Sequence, residues 1–297
     1  MKINGINDEK CIKCLECVKE CPESLFIKLP TEIGDKRKVY FDDPNKICIL
    51  CGHCIAICPT DAIEYDAEEK AREFESVNQP SSLIDYETQL KFLQTRRSIR
   101  RYKNKDVSDK DIESILETMK YAPSASNARS WRYIIIRDQD KINKIRKAVI
   151  KMLSLLRTIV KYKWILKYLA PKSVRRMIED PTTIPKLDNF LSSYEKGEDP
   201  VFHNAPVVII LYSPSYGSMA GVDSGIALTH GILAAQSLGL GTCWIGYAQE
   251  ALNRYDKNKE WLGIPEAMRI SGVIVVGHPD IKFSRIPPRD SLKVRYF

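Results

Sequence analysis

The chain has 297 residues, of which 44% are hydrophobic and 28% charged, and its formal net charge is +8. This balance excludes a disordered or collagen-like chain and predicts a folded protein of about two domains, at roughly 150 residues each. The first ten residues lack the apolar run of a secretory leader, and the long uncharged stretches 200–222 and 224–249 are interrupted by polar residues. We therefore expect a cytoplasmic protein without a membrane span, whose reduced cysteines serve metals or catalysis.

Charge is distributed unevenly along the chain. Residues 1–80 carry 11 basic and 16 acidic side chains, whereas residues 141–176 carry 12 basic side chains and no acidic one. The overall basicity therefore belongs to one segment. We expect no nucleic-acid partner from such a pattern.

Eight of the nine cysteines lie within the first 58 residues, in two copies of one motif. The copies, 37 residues apart, are Cys11-x2-Cys14-x2-Cys17-x3-Cys21-Pro22 and Cys48-x2-Cys51-x2-Cys54-x3-Cys58-Pro59. In such a run three thiolates hold one iron–sulfur cluster, and the cysteine before proline ligates the other cluster. The motif thus predicts two [4Fe–4S] clusters, one held by Cys11, Cys14, Cys17 and Cys58 and the other by Cys48, Cys51, Cys54 and Cys21.

Structural zinc is the alternative, because paired Cys-x-x-Cys motifs also bind zinc. Zinc requires neither the third cysteine at the same spacing nor the Cys-Pro ending, and both occur twice here. We expect His53 to be a loop residue and not a ligand, since four positions are already filled. Residues 1–66 closely resemble bacterial-type two-cluster ferredoxins, with short strands expected at 25–29 and 62–65. So small a domain should depend on its clusters for folding.

A turn-rich linker is expected over 67–84, followed by a second domain over 85–297. Ser108 is predicted to cap a helix that continues through Met119. Apolar spacing predicts further helices at 141–156 and at 222–238, the latter ended by Gly239. Apolar runs predict strands at 131–137, 206–213, 242–246 and 270–277. This mixture indicates an α+β or α/β domain with helices over a central sheet.

Residues 96–102, RRSIRRY, place four guanidinium groups within seven residues. Such groups match phosphate oxygens, although a solvated charge run has the same composition. The strip is followed by 121–131 (YAPSASNARSW), 223–227 (DSGIA), 238–246 (LGLGTCWIG) and 284–287 (SRIP). In this order the segments resemble the nitroreductase family of FMN enzymes over 85–297. The resemblance implies an α+β sandwich that forms a homodimer with FMN at the subunit interface.

The resemblance also implies roles for individual residues. The helix at 222–238 would form the dimer interface, and the tail 292–297 would embrace the partner subunit. The FMN phosphate and ribityl chain would be bound by Arg96, Arg97, Ser98, Arg100 and Arg285. The flavin would be reached from the partner subunit by Pro123, Ser124, Ala125 and Asn127, and its ring would lie beside Trp244, Ile245 and Gly246.

Two features of the second domain fall outside these motifs. Cys243 is expected to be a buried apolar residue and not a nucleophile. The stretch 150–200 is atypical of the family and is expected to be a lid or an insertion. The basic segment 141–176 leaves three interpretations open: a lid over the flavin, a docking surface for an acidic ferredoxin, or a membrane-surface contact.

The sequence therefore predicts a fused electron-transfer enzyme with FMN and two [4Fe–4S] clusters. Electrons would pass through the clusters to FMN, which would reduce a small acceptor such as a nitroaromatic, quinone, enone or flavin. The donor would be reduced ferredoxin or another redox partner instead of NAD(P)H. Two alternatives remain: a relay subunit of a larger redox complex, and a redox sensor whose clusters control partner binding.

Overall fold

A computed structural model describes residues 1–29, 39–161, 179–217 and 219–297. The chain separates into two compact units. Unit 1 comprises Met1–Tyr86 together with Ser124–Ala128, and unit 2 comprises Glu87–Pro123 and Arg129–Phe297. The short segment 124–128 therefore belongs by its contacts to unit 1, although it is continuous in sequence with unit 2.

Unit 1 is built from two antiparallel strand pairs and two short helices. Strand β1 pairs with β4, and β2 pairs with β3. Each short helix contains the third cysteine of a motif and ends immediately before the fourth. The elements are β1 (Lys2–Ile6), α1 (Glu16–Glu20), β2 (Phe26–Lys28), β3 (Val39–Phe41), α2 (His53–Ile57) and β4 (Ile63–Asp66).

The expectation that His53 lies in a loop is wrong, because His53 is the first residue of α2. The preceding Gly52 has φ +76, and the equivalent Leu15 before α1 has φ +68, so both helices begin after a left-handed residue. The core of this unit consists of few buried side chains, namely Ile3, Phe26, Cys54 and Ile63. A core of this size supports the expectation that metal binding contributes to folding.

Unit 2 is an α+β sandwich around one antiparallel sheet with strand order β5-β6-β8-β7. Its described helices are α3 (Tyr86–Thr95), α4 (Asp109–Lys120), α5 (Gln139–Lys161), α6 (Thr183–Glu195), α7 (Ala220–Ser237), α8 (Gly246–Arg254) and α9 (Asp256–Glu260). Its strands are β5 (Arg132–Ile136), β6 (Val207–Pro214), β7 (Gly241–Trp244) and β8 (Met268–Gly277).

Alternation along β6 and β8 gives the sheet two apolar faces. On β6, Val208 and Ile210 face a core shared with α5, α6 and α8, whereas Val207 and Ile209 face a core shared with α4 and α7. All four side chains are fully buried. A strand buried on both faces reads as a continuous apolar run, which is why 206–213 was recognisable as a strand.

The positions at which α4 begins and α7 ends are explained by single residues of the sequence. Ser108 caps α4, as predicted, because its Oγ accepts a hydrogen bond from Asp111 N at 3.0 Å. Helix α7 ends before Gly239, which has φ +74 and whose neighbour Leu240 donates its N–H to Ala235 O. Glycine adopts this left-handed conformation without steric cost, so the predicted stop is confirmed.

Helices α3, α6, α8 and α9 were not predicted from the sequence. Helix α6 lies within the stretch expected to be a lid or an insertion, and it buries Leu187 and Leu191 in the core. In the basic segment, α5 buries the predicted Ile142, Ile145 and Val149. The rest of that segment, from residue 162, lies outside the described residues. None of the described helices is long and apolar enough to cross a membrane.

A buried ion pair joins α5 to the segment after α6. Arg146 Nε and Nη2 donate to the two carboxylate oxygens of Asp199, each at 2.8 Å. Burial by itself would raise the pKa of Asp199, but the Arg146 guanidinium and the backbone N–H groups of Phe202 and Asn204 lower it below its usual value. Asp199 therefore contributes stability above the unfolded-state pKa of about 4, and this is lost as pH falls through the lower folded-state pKa.

We expect Arg146→Met to destabilise unit 2 by about 3–5 kcal/mol, because it leaves the Asp199 carboxylate buried without its cation. Chemical unfolding followed by tryptophan fluorescence measures this loss. Lys91→Met is the matched control, since Lys91 pairs with Glu87 at 3.8 Å on the exposed surface and should change stability by less than about 1 kcal/mol. Equal effects of the two substitutions would contradict the prediction.

Candidate functional site

The eight clustered cysteines line two separate cavities within unit 1. Four of them line one cavity together with Thr60 and Ala62, and the other four line a second cavity next to Phe26. The first group is Cys11, Cys14, Cys17 and Cys58, and the second is Cys21, Cys48, Cys51 and Cys54. Each cavity thus combines three cysteines of one motif with the last cysteine of the other motif.

The thiols of each group are close enough to affect one another's ionisation. Burial and the neighbouring Cys51, Cys48 and Cys21 raise the pKa of Cys54 to about 11. Burial and the neighbouring Cys11, Cys14 and Cys58 likewise raise the pKa of Cys17. Four thiolates so close together repel one another unless a cationic group lies between them, and iron supplies that charge.

Backbone N–H groups point at the sulfur of the cysteine that precedes proline. Leu25 N donates to Cys21 Sγ at 3.3 Å, and Ala62 N donates to Cys58 Sγ at 3.2 Å. Both bonds join a cysteine to the residue four positions later, so the internal repeat reproduces them. N–H···S bonds of this kind stabilise negative charge on a cluster and help set its reduction potential.

The sulfur donors fit iron–sulfur clusters better than single zinc ions. Each cavity takes three cysteines from one motif and the last cysteine from the other, which is the crossed pattern of a two-cluster motif and is not required of a zinc site. Eight thiols around two cavities are the donor set that two four-iron clusters require.

In unit 2, the arginine strip runs as an extended segment beside strand β7. Ser98 forms a parallel bridge with Thr242, and Ile99 N donates to Thr242 O at 2.9 Å. Because side chains alternate along extended chain, Ser98 and Arg100 share one side, where both are close enough to the Cys243 thiol to lower its pKa. Arg96 is close enough to act electrostatically on the same thiol.

Cys243 is buried, as predicted, at 3% exposure. Burial raises the pKa of its thiol, against the opposing effects of Arg100, Ser98 and Arg96. A raised thiol pKa is in line with the expectation that Cys243 is not a nucleophile. Its neighbours Arg96, Ser98 and Arg100 share one side of the strip, and such side chains are suited to binding a phosphate.

Arg96 and Arg97 also line a cavity of about 390 Å³ with Ile286, Pro287 and Arg289. A second cavity, of about 270 Å³, is lined by the same two arginines and by residues 239–242 of the turn into β7. Ligand pockets have volumes of roughly 300–1,000 Å³, so this side of unit 2 offers space for a phosphate-bearing ligand. The family resemblance selects Arg285 from the carboxy-terminal segment; Arg289 of the same segment lines this cavity, and both arginines are exposed.

The close approach of the strip to β7 depends on a glycine. A Cβ atom added to Gly241 would lie 2.6 Å from Ile99 Cγ1 and 2.8 Å from Ile99 Cβ. Such contacts force the backbone to move, because a buried isoleucine next to a strand has little freedom. Gly241 is thus a site residue that the sequence motifs contained but that sequence reasoning did not select.

We expect Gly241→Ala to weaken FMN binding by about tenfold or more, because the displaced strip no longer presents Ser98 and Arg100 together. Fluorescence titration of the flavin-free protein with FMN measures the affinity. The double variant Ile99→Ala/Gly241→Ala removes two of the three nearest contacts and should recover part of it. An unchanged affinity in the single variant would disprove this role of Gly241.

The expected flavin-facing residues after β7 lie where the sheet meets α8. Ile245 N donates to Val273 O at 2.8 Å, so its N–H is already hydrogen-bonded to strand β8. Gly246 opens α8, and an N–H in a first helical turn has no intrahelical partner. Trp244 is partly exposed and its Nε1 donates to Gln249 Oε1 at 3.3 Å. Gly246 is therefore the backbone donor of this group that remains open to a ligand.

The turn expected to reach the flavin is divided between the two units. Pro123 belongs to unit 2, and Ser124, Ala125 and Asn127 belong to unit 1. Asn127 Nδ2 donates to Leu50 O at 2.8 Å and to Ile49 O at 3.0 Å, both in the loop between Cys48 and Cys51. The resemblance did not predict these bonds, since it assigned Asn127 to the flavin.

Comparison with known proteins matches each unit to a family. A family model described as the nitroreductase family matches residues 93–278, and one described as a 4Fe-4S dicluster domain matches residues 10–62. A ferredoxin of Methanothermococcus thermolithotrophicus is 43% identical over 61 residues, which cover 20% of this chain and 88% of the ferredoxin. An Archaeoglobus fulgidus protein, provisionally described as an NADH dehydrogenase/NAD(P)H nitroreductase, is 29% identical over 64% of this chain and 84% of its own.

Solved structures give the same result for the fold. A nitroreductase with bound FMN from Desulfitobacterium hafniense is similar with a TM-score of 0.52 at 25% identity. The similarity covers 70% of this chain and 97% of that chain. The α+β sandwich expected from the sequence motifs is confirmed.

Proposed function

The chain belongs to the nitroreductase family and carries a 4Fe-4S dicluster domain ahead of the family's fold, and we propose that it passes electrons from its clusters to FMN for reduction of a small organic acceptor. The acceptor would be a nitroaromatic, quinone, enone or flavin. The observation that carries this proposal is that two complete cysteine groups and an arginine strip suited to a phosphate occur in one polypeptide.

We assign each cysteine group one [4Fe–4S] cluster. Cys11, Cys14, Cys17 and Cys58 would hold the first cluster. Cys21, Cys48, Cys51 and Cys54 would hold the second. Iron–sulfur clusters exchange single electrons, whereas flavin exchanges one or two, so this cofactor set connects a one-electron donor to two-electron reduction.

For FMN, the structure offers donors suited to an anionic phosphate. Arg96, Ser98 and Arg100 share one side of the strip, and Arg289 lines the cavity with Arg96. We propose that these groups bind the phosphate and ribityl chain, with Arg97 and Arg285 as further candidates. Trp244, Ile245 and the open N–H of Gly246 would lie beside the flavin ring.

A homodimer would complete this site. Helix α7 exposes Val222, and the chain end exposes Leu292, Tyr296 and Phe297 almost entirely. Apolar side chains of this size are normally covered, so they favour a second copy of the chain. Pro123, Ser124, Ala125 and the amide oxygen of Asn127 would then face the flavin of the other subunit.

We propose reduced ferredoxin, or another one-electron carrier, as the donor in place of NAD(P)H. Clusters on the same chain as the flavin raise the effective concentration of the reductant, and a hydride donor would have no need of them. The identity of the electron donor can therefore be tested independently of the identity of the acceptor.

Anaerobically purified full-length protein tests the proposal. About eight irons and one FMN per chain are expected for two four-iron clusters and one flavin. Dithionite-reduced ferredoxin should then support steady turnover of at least one acceptor class, with NADH and NADPH as parallel donors. Flavin reduction without turnover would instead favour an electron relay, and colourless or zinc-containing protein would overturn the assignment.

A further inference from the structure

The loop between Cys48 and Cys51 is bonded by a side chain from the distant segment 124–128 of the same unit. Asn127 is half-buried, and its Nδ2 donates to two consecutive carbonyl groups, Ile49 O at 3.0 Å and Leu50 O at 2.8 Å. Two carbonyl acceptors also fix the orientation of the amide, because only its nitrogen carries hydrogens. Both N–H groups of Asn127 are therefore used within unit 1.

One of these carbonyls belongs to a peptide group that contacts a cluster ligand. The Ile49 carbonyl and the Leu50 N–H are the two ends of one peptide group, and both residues line the cavity of Cys21, Cys48, Cys51 and Cys54. A donor at the carbonyl end polarises a peptide and strengthens the bond made by its N–H end. Asn127 therefore bonds to the carbonyl end of a peptide group whose N–H end belongs to the lining of the cluster cavity.

We propose that Asn127 is a positioning residue that raises the reduction potential of the cluster held by Cys21, Cys48, Cys51 and Cys54. A stronger N–H···S bond stabilises the additional negative charge of the reduced cluster, which favours reduction. The proposal deepens the function proposed above and rests on its assignment of these four cysteines. It adds a residue to which the family resemblance gave a different role.

The first cysteine motif contains a loop that can be compared with the loop between Cys48 and Cys51. The equivalent loop of the first motif holds Ile12 and Lys13, and Lys13 has φ +61 where Leu50 has φ +53. Asn127 Nδ2 donates to the carbonyls of Ile49 and Leu50 and not to those of the equivalent Ile12 and Lys13, and Ile12 is 63% exposed. The two loops therefore share a backbone shape but differ in this support, so the effect should be confined to one cluster.

Anaerobic redox titration of the holoprotein, followed by electron paramagnetic resonance, tests the proposal without any turnover. Asn127→Asp keeps the size and the tolerance for φ +51 but removes both donors, and Asn127→Ala removes the amide. We expect one of the two cluster steps to shift to lower potential by a threefold to tenfold change in its oxidised-to-reduced ratio. A tenfold change corresponds to about 59 mV for a one-electron couple. Asn127→Asp should shift more, because it also adds negative charge.

Ser126→Ala is the matched control, since Ser126 is an exposed residue of the same turn with φ +48, and it should leave both steps in place. The shift caused by Asn127→Asp should persist in a Cys11→Ser/Cys58→Ser background, in which only the second cluster keeps all four of its cysteines. Unchanged potentials with full iron content, or equal shifts of both steps, would overturn the role of Asn127 alone. Protein without iron would overturn the cluster assignment together with it.

Discussion

Replacing Cys11 and Cys58 together by serine should leave one intact [4Fe–4S] cluster per chain, whereas replacing Cys11 and Cys21 together should leave none. The first pair lines a single cavity, so its loss spares Cys21 and its three partners. The second pair takes one ligand from each cavity. Because a cubane cluster requires four thiolates, both clusters are then incomplete.

Iron and sulfide analysis, with quantified electron paramagnetic resonance of the reduced protein, measures this difference. We expect about four irons in one intact cluster for the first double variant, against about eight in the parent. The result would be reversed if each motif held its own cluster, so the experiment decides between crossed and local ligation. Cys243→Ala is the matched control and should retain all iron, because Cys243 lines neither cavity.

The crossed arrangement of cysteines was predictable because the motif contains the geometry. Three cysteines at two-residue spacing fit one turn of loop and helix, and the fourth leaves the helix with extended backbone at φ −74. Both motifs have this conformation within a degree, since the repeat duplicates the local sequence. Local spacing therefore carried the prediction, and the cavities of the structure agree with it.

The sheet and the helices α4, α5 and α7 were predictable for a similar reason. Val207–Pro214 is buried on both faces, and a continuous apolar run follows directly. Helix α9 was missed because it has five residues and none of them is buried, and α8 was missed because two of its three buried residues are the small Ala248 and Ala251. Apolar spacing over so few residues does not distinguish a short helix from a turn.

Contacts between residues far apart in the sequence were the features that the sequence did not predict. Asn127 bonds to carbonyls 77 and 78 residues away, and no periodicity or spacing links the two segments. Arg289 and Arg285 both lie in a carboxy-terminal segment that lacks regular secondary structure, so the choice between them depends on the path of the chain. Tertiary contacts decide such cases, and a motif identifies only the segment.

Side chains alternate along the extended arginine strip, so Arg96 and Arg100 lie on the side where we expect the FMN phosphate to bind. Arg96→Ala and Arg100→Ala should each raise the dissociation constant of FMN by about tenfold to a hundredfold, since each removes a charged hydrogen bond worth about 1.5–3 kcal/mol. Arg101→Ala is the matched control, because Arg101 lies on the opposite side of the strip, is exposed, and approaches Asp280 at 3.9 Å. It should leave FMN affinity unchanged. Fluorescence titration of flavin-free protein measures all three.

The structure and the family resemblance lead to different expectations for Arg97. The resemblance groups it with the phosphate-binding residues, but its Nη1 donates to Gln94 O at 2.7 Å and to Arg96 O at 2.6 Å. A guanidinium nitrogen that already donates to two nearby carbonyls has fewer N–H groups left for a phosphate. The main effect of Arg97 would therefore be on the conformation of the strip. We therefore expect Arg97→Lys to weaken FMN binding less than Arg100→Lys does, since lysine cannot reproduce a bidentate contact. If Arg97→Lys were the more damaging change, the phosphate would lie on the Arg97 side of the strip and not on the side of Ser98 and Cys243.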